Sequence, residues 1–176
     1  DELLDAGVPG IGQVRDSLGP QLPGWVARMG GRVVYCARVA DTVEALEAAL
    51  RAVPDVDVIL TTGGTAAGPV DCLHTALRRV GATLAVDSVA VRPGHPMLLA
   101  DCSGVPLIGL PGNPQSAVVA LVSLGAPLLR GLLGQSEPTL ADVTLDSALG
   151  APANENRLVL GTVTGGKDDA RAIIRD

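Results

Sequence analysis

The first half of the chain alternates between strand-like and helix-like spacing of its apolar residues. Residues 31–40 form an apolar, β-branched run that predicts a strand, and residues 41–53, with Asp41 as the expected N-cap, carry apolar side chains at helical spacing. A second strand is predicted at 55–62 and a second helix at 71–81. Strand, helix, strand, helix in this order predicts a parallel sheet with right-handed crossovers.

The pattern changes after residue 81, where short strands follow one another, separated by turns. These strands are predicted at 83–91, 96–100 and 105–110. A long apolar helix is then predicted at 113–134, kinked by Gly125 and Pro127, and therefore too short and too interrupted to span a membrane. A shorter helix is expected within 16–30, opening near Pro20.

The composition shifts near residue 135. Residues 136–176 alternate polar and apolar side chains, as in a small antiparallel β module. We therefore predict an α/β domain over 1–135 and a partial β-rich domain over 136–176, too short for a stable core of its own.

Composition and charge narrow the range of partners. The 176 residues carry a formal net charge of -6 and only 1% aromatic residues, which disfavours nucleic acid and anionic membranes as partners. No uninterrupted apolar stretch approaches the ~18 residues of a membrane span, and the acidic start is unlike a signal peptide. The three widely spaced cysteines indicate reduced, buried thiols, so we expect a cytoplasmic protein.

The stretch "TTGGTAAGPVD" at 61–71 is the first candidate site. It follows a predicted strand, and its glycines and alanines let backbone N–H groups approach an anion such as phosphate. Asp71 ends the stretch. A carboxylate repels phosphate unless a divalent cation lies between them, so Asp71 is interpreted either as a Mg²⁺ ligand or as the N-cap of the next helix.

A second loop repeats this arrangement. "GLPGNPQSA" at 109–117 follows another predicted strand, and Asn113 and Ser116 offer hydrogen-bond donors where a long helix begins. The two loops are expected to face one elongated phosphorylated ligand. The alternative interpretation is a proline-rich turn with Asn113 as the N-cap of the helix. Arg92 and His95, in "VRPGHP" at 91–96, would complement an anionic substrate.

Together these stretches resemble the molybdopterin-binding domain of molybdenum-cofactor biosynthesis proteins. "AVRPGHP", "GVPGIGQVRDS" and the β module are more similar to the molybdopterin molybdenumtransferase (molybdate insertase) branch than to the stand-alone adenylyltransferases. The resemblance implies a three-layer α/β/α sandwich with a mostly parallel sheet. It also implies an elongated cytoplasmic homodimer.

The resemblance also implies roles for individual residues. Asp71 is the expected functional aspartate and Mg²⁺ ligand, next to the phosphate or adenylate of molybdopterin. The other expected binding residues are Gly63, Gly64 and Thr65 in the first loop, Asn113, Pro114 and Ser116 in the second, Asp16 and Ser17 in the entry segment, and Arg92 and His95. Leu18 stands where the family usually has asparagine, and His95 where lysine is common.

The leading functional hypothesis is insertion of molybdate into adenylylated molybdopterin, with molybdate held near Arg92 and His95. Adenylyl transfer from ATP to molybdopterin is the alternative within the enzyme class, favoured by the form of the "GGTAAGP" loop. A third hypothesis is a pterin-binding or scaffold module without catalytic activity.

Overall fold

The computed structural model describes residues 2–66, 68, 72–150, 153–165 and 170–174. Both helices and strands occur up to residue 132, and short strands follow. In the first part lie β1 (Leu3–Leu4), β2 (Val14–Arg15), α1 (Leu22–Arg28), α2 (Val43–Arg51), β3 (Ile59–Thr62), α3 (Leu73–Arg79), β4 (Thr83–Asp87), β5 (Val91–Arg92), β6 (Leu98–Cys102), β7 (Val105–Leu110), α4 (Pro114–Ala120) and α5 (Ala126–Leu132). The later strands are β8 (Thr144–Leu145), β9 (Asn156–Arg157), β10 (Gly161–Thr164) and β11 (Arg171–Ile174).

The main sheet has four strands in the order β3-β7-β6-β4. β3 and β7 run parallel, whereas β6 is antiparallel to both β7 and β4, so the described sheet is mixed. Strand β7 is central, and its residues from Leu107 to Leu110 are buried. The α/β class is confirmed, but the expected mostly parallel sheet is wrong for the described strands of this sheet: only its β3–β7 pair, where the sheet meets the first candidate loop, is parallel.

The sheet carries helices on both faces, because alternate residues of each strand point to opposite sides. On one face, Leu107 of β7 lies in a cluster with Leu73 and Leu77 of α3. On the other face, its neighbour Ile108 lies in a cluster with Ala117 and Leu121 of the helix that follows β7. These two clusters form the three-layer α/β/α sandwich that the family resemblance implied.

The predicted strand at 31–40 is wrong. Among the described residues this segment has no regular secondary structure, and Val33, Val34 and Tyr35 are 40%, 51% and 59% exposed. An apolar run becomes a strand only when another strand pairs with it, and no described strand does so here. The N-cap of α2 is also not Asp41 but Thr42, whose hydroxyl accepts a hydrogen bond from the Ala45 N–H at 3.2 Å.

The long helix after β7 runs without a break from Pro114 to Leu132, and its predicted kink stays a prediction. α4 and α5 are joined by a π-helical turn at Leu121–Gly125, and this wider turn accommodates Pro127, which lacks the N–H of a regular helix. The prediction that this helix is too short to span a membrane is wrong on length, because by length and composition alone Pro114–Leu132 could cross one. Core helices of soluble proteins meet the same criterion. Its packing against β7 is that of a core helix.

The strands after residue 135 form a small sheet in the order β10-β11-β8, while β9 pairs with β5 of the main domain. A domain division at 135 stays a prediction.

The expectation of buried thiols is wrong in detail, since Cys36 is exposed and Cys72 and Cys102 are half-buried.

Candidate functional site

The two glycine loops lie side by side at one edge of the sheet. Because β3 and β7 are parallel neighbours, with Thr62 opposite Leu110, their carboxyl ends meet. The Gly63 N–H donates to the Leu110 carbonyl oxygen at 2.9 Å, and a Cβ on Gly112 would stand 3.6 Å from the Gly63 Cα. The structure thus brings together the two loops that the sequence predicted to share one ligand.

The backbone of the first loop requires glycine. Gly63 and Gly64 have φ values of 81° and 65°, in the left-handed region that L side chains rarely adopt. A Cβ on Gly63 would meet nothing within 4 Å, so the space above this residue is open to a ligand. A Cβ on Gly64 would instead stand 3.4 Å from the Leu73 Cβ, at the start of α3.

Thr65 anchors this loop to the sheet. It is 5% exposed, and its methyl carbon would be 2.9 Å from a Cβ on Gly109 of β7. The close packing explains why a glycine stands at position 109. Asp71, the predicted functional aspartate, lies outside the described residues, and its role stays a prediction.

In the second loop, the geometry is that of a helix N-terminus. The Asn113 Oδ1 accepts a hydrogen bond from the Ser116 N–H at 3.0 Å, and Pro114 takes the first helical position. Asn113 is therefore the N-cap, one of its two expected functions. Asn113 and its neighbour Gly112 are both exposed.

The entry segment is held by its own hydrogen bonds. Asp16 Oδ1 accepts from the N–H groups of Leu18 and Gly19 at 3.0 and 2.9 Å, and Oδ2 lies 3.2 Å from Arg38 Nη2. Both carboxylate oxygens are engaged within the fold, so Asp16 shapes the turn before α1. Ser17 is half-buried, and its carbonyl oxygen accepts from the Gln21 side chain at 2.6 Å.

Arg92 and His95 are tied by different contacts. Arg92 Nε donates to Glu155 Oε2 beside the β5–β9 pairing, which links the guanidinium to the C-terminal module. His95 Nδ1 lies 2.8 Å from the Val89 carbonyl oxygen, an acceptor, so the proton sits on Nδ1. Gly94 between them packs on the helix after the second loop, because a Cβ there would stand 2.8 Å from Val119 Cγ1.

One set of residues near the first loop was missed by sequence reasoning. His74 Nε2 on α3 lies 2.8 Å from Asp87 Oδ1 at the end of β4, and neither residue is among the predicted site residues. Both line a pocket of about 390 Å³ that also contains Ala66 and Gly68 of the glycine loop. The two residues are thirteen positions apart on different elements, and no local spacing signals their contact.

The chemistry of the described site is that of ligand positioning. Within the ranges that the structure describes, no group of three or more His, Cys, Asp or Glu side chains could hold a metal ion. The expectation of Mg²⁺ therefore rests on Asp71 alone. The open space at Gly63 lies beside Gly112, which comes just before the N-capped helix that begins at Pro114.

Known proteins resemble this chain in sequence. The family model described as "probable molybdopterin binding domain" matches residues 1–131. Molybdopterin molybdenumtransferase of Nostoc sp. is 29% identical over 93% of this chain, and molybdopterin molybdenumtransferase 2 of Mycobacterium tuberculosis is 34% identical over 78% of it. The chain spans only 39% and 36% of the lengths of these relatives.

Solved structures give the same fold. The molybdopterin biosynthesis moea protein from Pyrococcus horikosii superposes with a TM-score of 0.76 at 24% identity, covering 99% of this chain and 42% of that one. A structure titled molybdenum cofactor biosynthesis protein B superposes with a TM-score of 0.54 at 19% identity, covering 76% of this chain and 92% of that one. At these identities the likeness concerns the fold alone.

Proposed function

The chain belongs to the family of probable molybdopterin-binding domains, and from this premise we propose that it forms the pterin-binding part of a molybdopterin molybdenumtransferase. Such an enzyme inserts molybdate into molybdopterin, bound as such or as its adenylate. The observation that carries the proposal is the contact of the two glycine loops at Gly63 and Gly112.

The phosphate end of the ligand would lie against the backbone of the first loop. Gly63 offers open space at its α-carbon, so the negative charge approaches peptide N–H groups without a side chain in between. The exposed amide of Asn113 supplies a further donor from the second loop. Preorganised dipoles of this kind stabilise charge that develops on a phosphate during cleavage.

Molybdate, the second substrate, would bind near the "RPGH" turn. Arg92 is 68% exposed and forms its ion pair with Glu155 at the surface, so an oxyanion would compete with Glu155 for the guanidinium. His95 has its Nδ1 proton engaged by the Val89 carbonyl and presents the other ring nitrogen to solvent.

If Mg²⁺ binds, Asp71 would hold it, and the ion would supply charge neutralisation at the phosphate. The loops' own contribution is to position the ligand and exclude bulky side chains. A cytoplasmic homodimer completes the proposal for the whole protein, of which the insertase step is the proposed activity.

Adenylyl transfer to molybdopterin is the second candidate, because the loop reads "GGTAAGP", closer to the adenylyltransferase form. Incubation with ATP and molybdopterin separates the two steps. Release of pyrophosphate from ATP without molybdate supports adenylyl transfer to molybdopterin. Molybdate-dependent release of AMP from the adenylate supports the insertase.

Calorimetric titration of molybdopterin and its adenylate, with and without Mg²⁺, tests the proposal directly. Asp71→Asn is expected to lose the Mg²⁺-dependent part of the affinity. The matched control is Asp57→Asn, an exposed carboxylate before β3, at the opposite end of the strand. Absence of binding of either ligand to the unaltered protein would contradict the proposed function.

A further inference from the structure

A pocket of about 390 Å³ opens beside the glycine loop, on the sheet face covered by α3. Gly68 of the loop forms one wall and Leu84 of β4 forms an apolar one. The polar groups come from α3 and from the end of β4. Its volume falls in the ~300 to 1,000 Å³ range typical of small-molecule sites.

Asp87 is the acceptor of this pocket, and His74 holds it in place. The His74 side chain is 17% exposed, and its Nε2 lies 2.8 Å from Asp87 Oδ1, whereas the Asp87 side chain is 53% exposed. His74 Nδ1 is buried and has no hydrogen-bond partner. The proton therefore belongs on Nε2, where it is donated to Asp87, because a buried unpartnered N–H would be costly.

Arg78 is the donor of the pocket. Its Nη2 donates to Thr75 Oγ1 at 3.1 Å and its Nε to the His74 carbonyl oxygen at 3.3 Å, which fixes the plane of the guanidinium. Among the described residues Arg78 forms no ion pair, whereas the adjacent Arg79 pairs with Glu44 at 2.9 Å. Acceptor and donor thus line the same pocket without neutralising each other.

We propose that this pocket recognises the 2-amino-4-oxopyrimidine edge of a bicyclic heterocycle. Asp87 accepts from the ring N3–H and the 2-amino group, as a carboxylate accepts two parallel N–H bonds from a guanidinium. Its oxygens have enough lone pairs to keep the His74 bond as well. Arg78 donates to the 4-oxo group, and Leu84 contacts the ring face.

Pterins and guanine share this edge. The assignment to a pterin rests on the proposed function, which places the phosphate of molybdopterin at the neighbouring glycine loop. Adenine lacks the edge, because its amino group neighbours a bare ring nitrogen rather than an N–H.

The test compares two heterocycles that differ at a single position. 6-Hydroxymethylpterin carries the 2-amino group, and 6-hydroxymethyllumazine carries a 2-oxo group instead, so titration followed by their own fluorescence measures the preference. The unaltered protein is expected to bind the pterin at least about tenfold more tightly, as a charged hydrogen bond is lost with lumazine. Asp87→Asn should abolish or reverse this preference, because the asparagine amide donates to a 2-oxo group.

Further variants separate the roles of the neighbours. Arg78→Gln should weaken both heterocycles equally, since both carry the 4-oxo group. His74 is a positioning residue: His74→Gln, which keeps an N–H donor, should retain the preference, and His74→Leu should lose it. Arg79→Gln is the matched control on the same helix and should change nothing.

The outcomes distinguish this proposal from the proposed function. If the unaltered protein does not prefer 6-hydroxymethylpterin over 6-hydroxymethyllumazine, the proposed recognition of the edge is wrong. The same holds if Asp87→Asn leaves the preference unchanged, even if molybdopterin still binds. A flat molybdopterin titration overturns the proposed function instead. If GMP competes as well as the pterin, with the same dependence on Asp87, the pocket recognises the 2-amino-4-oxopyrimidine edge, and its ligand is a guanine nucleotide rather than a pterin.

Discussion

Gly63 and Gly112 belong to different loops, yet a Cβ on Gly112 would stand only 3.6 Å from the Gly63 Cα. The contact follows from the parallel pairing of β3 and β7, which ends both strands at the same edge of the sheet. Each glycine leaves room that a side chain would fill. The two residues therefore border one open surface, on which the proposed ligand lies.

Gly63→Ala is expected to weaken binding of molybdopterin or its adenylate by about tenfold or more, because the methyl group stands where the phosphate approaches. The left-handed φ of 81° adds a folding cost of roughly 1–2 kcal/mol. Gly104→Ala is the matched control, with a φ of 92° and nothing within 4 Å of the added Cβ, in the β6–β7 turn. Denaturant unfolding should show similar losses for both, and calorimetry a loss of binding for Gly63→Ala alone.

Glu155→Gln should release Arg92 from its ion pair with the C-terminal module. If the guanidinium receives an oxyanion, molybdate affinity should rise a few-fold in this variant and fall in Arg92→Ala. The stability change should stay below about 1 kcal/mol, because the pair is solvent-exposed on the arginine side. Equal molybdate affinity in all three proteins, by equilibrium dialysis, would remove Arg92 from the oxyanion site.

Leu18 stands where the resemblance led us to expect asparagine, and the structure places its side chain in the core. It is 5% exposed and belongs to the core cluster with Val91 and Leu110. Leu18→Ala should cost about 2–5 kcal/mol of unfolding free energy. Leu18→Asn should cost at least as much, since it buries an amide. Leu140→Ala, at a site 92% exposed, should change stability by less than ~0.5 kcal/mol.

The thiols should react in order of exposure. Burial, and secondarily the Asp101 carboxylate, raises the pKa of Cys102, so its reactive thiolate is scarce near neutral pH. A thiol reagent should modify the exposed Cys36 first and Cys102 more slowly at about pH 7.5, which lies below the ordinary pKa of a cysteine thiol. Raising the pH should accelerate Cys102 labelling. The Cys36→Ser variant reports the labelling of Cys102, and the Cys102→Ser variant that of Cys36. Faster labelling of Cys102 than of Cys36 in this comparison would contradict the order.

Local patterns in the sequence were informative where neighbours along the chain decide the structure. The N-capping side chain of Asn113 and the proline at the next position predict the start of a helix from two consecutive residues, and the structure has it there. Apolar β-branched residues also predicted β7. The same kind of pattern failed at 31–40, because pairing with a distant strand, absent among the described residues, decides whether such a run becomes a strand.

The site shows the same division. Two glycine loops after strands, and their resemblance to a pterin-binding family, could be found in the sequence, since loop composition and strand ends are local features. The contact of Gly63 with Gly112 needed the strand order, and the engagement of Asp16 by Arg38 and of Arg92 by Glu155 needed the folded chain.

The sequence by itself determined which segments are glycine loops, which helices are amphipathic and which family the chain resembles, because these depend on residues adjacent in the chain. Only the tertiary structure decided that β3 lies beside β7 and that His74 reaches Asp87 across a helix and a strand. Strand order and side-chain contacts between elements are set by packing of the whole core. No spacing along the chain encodes them.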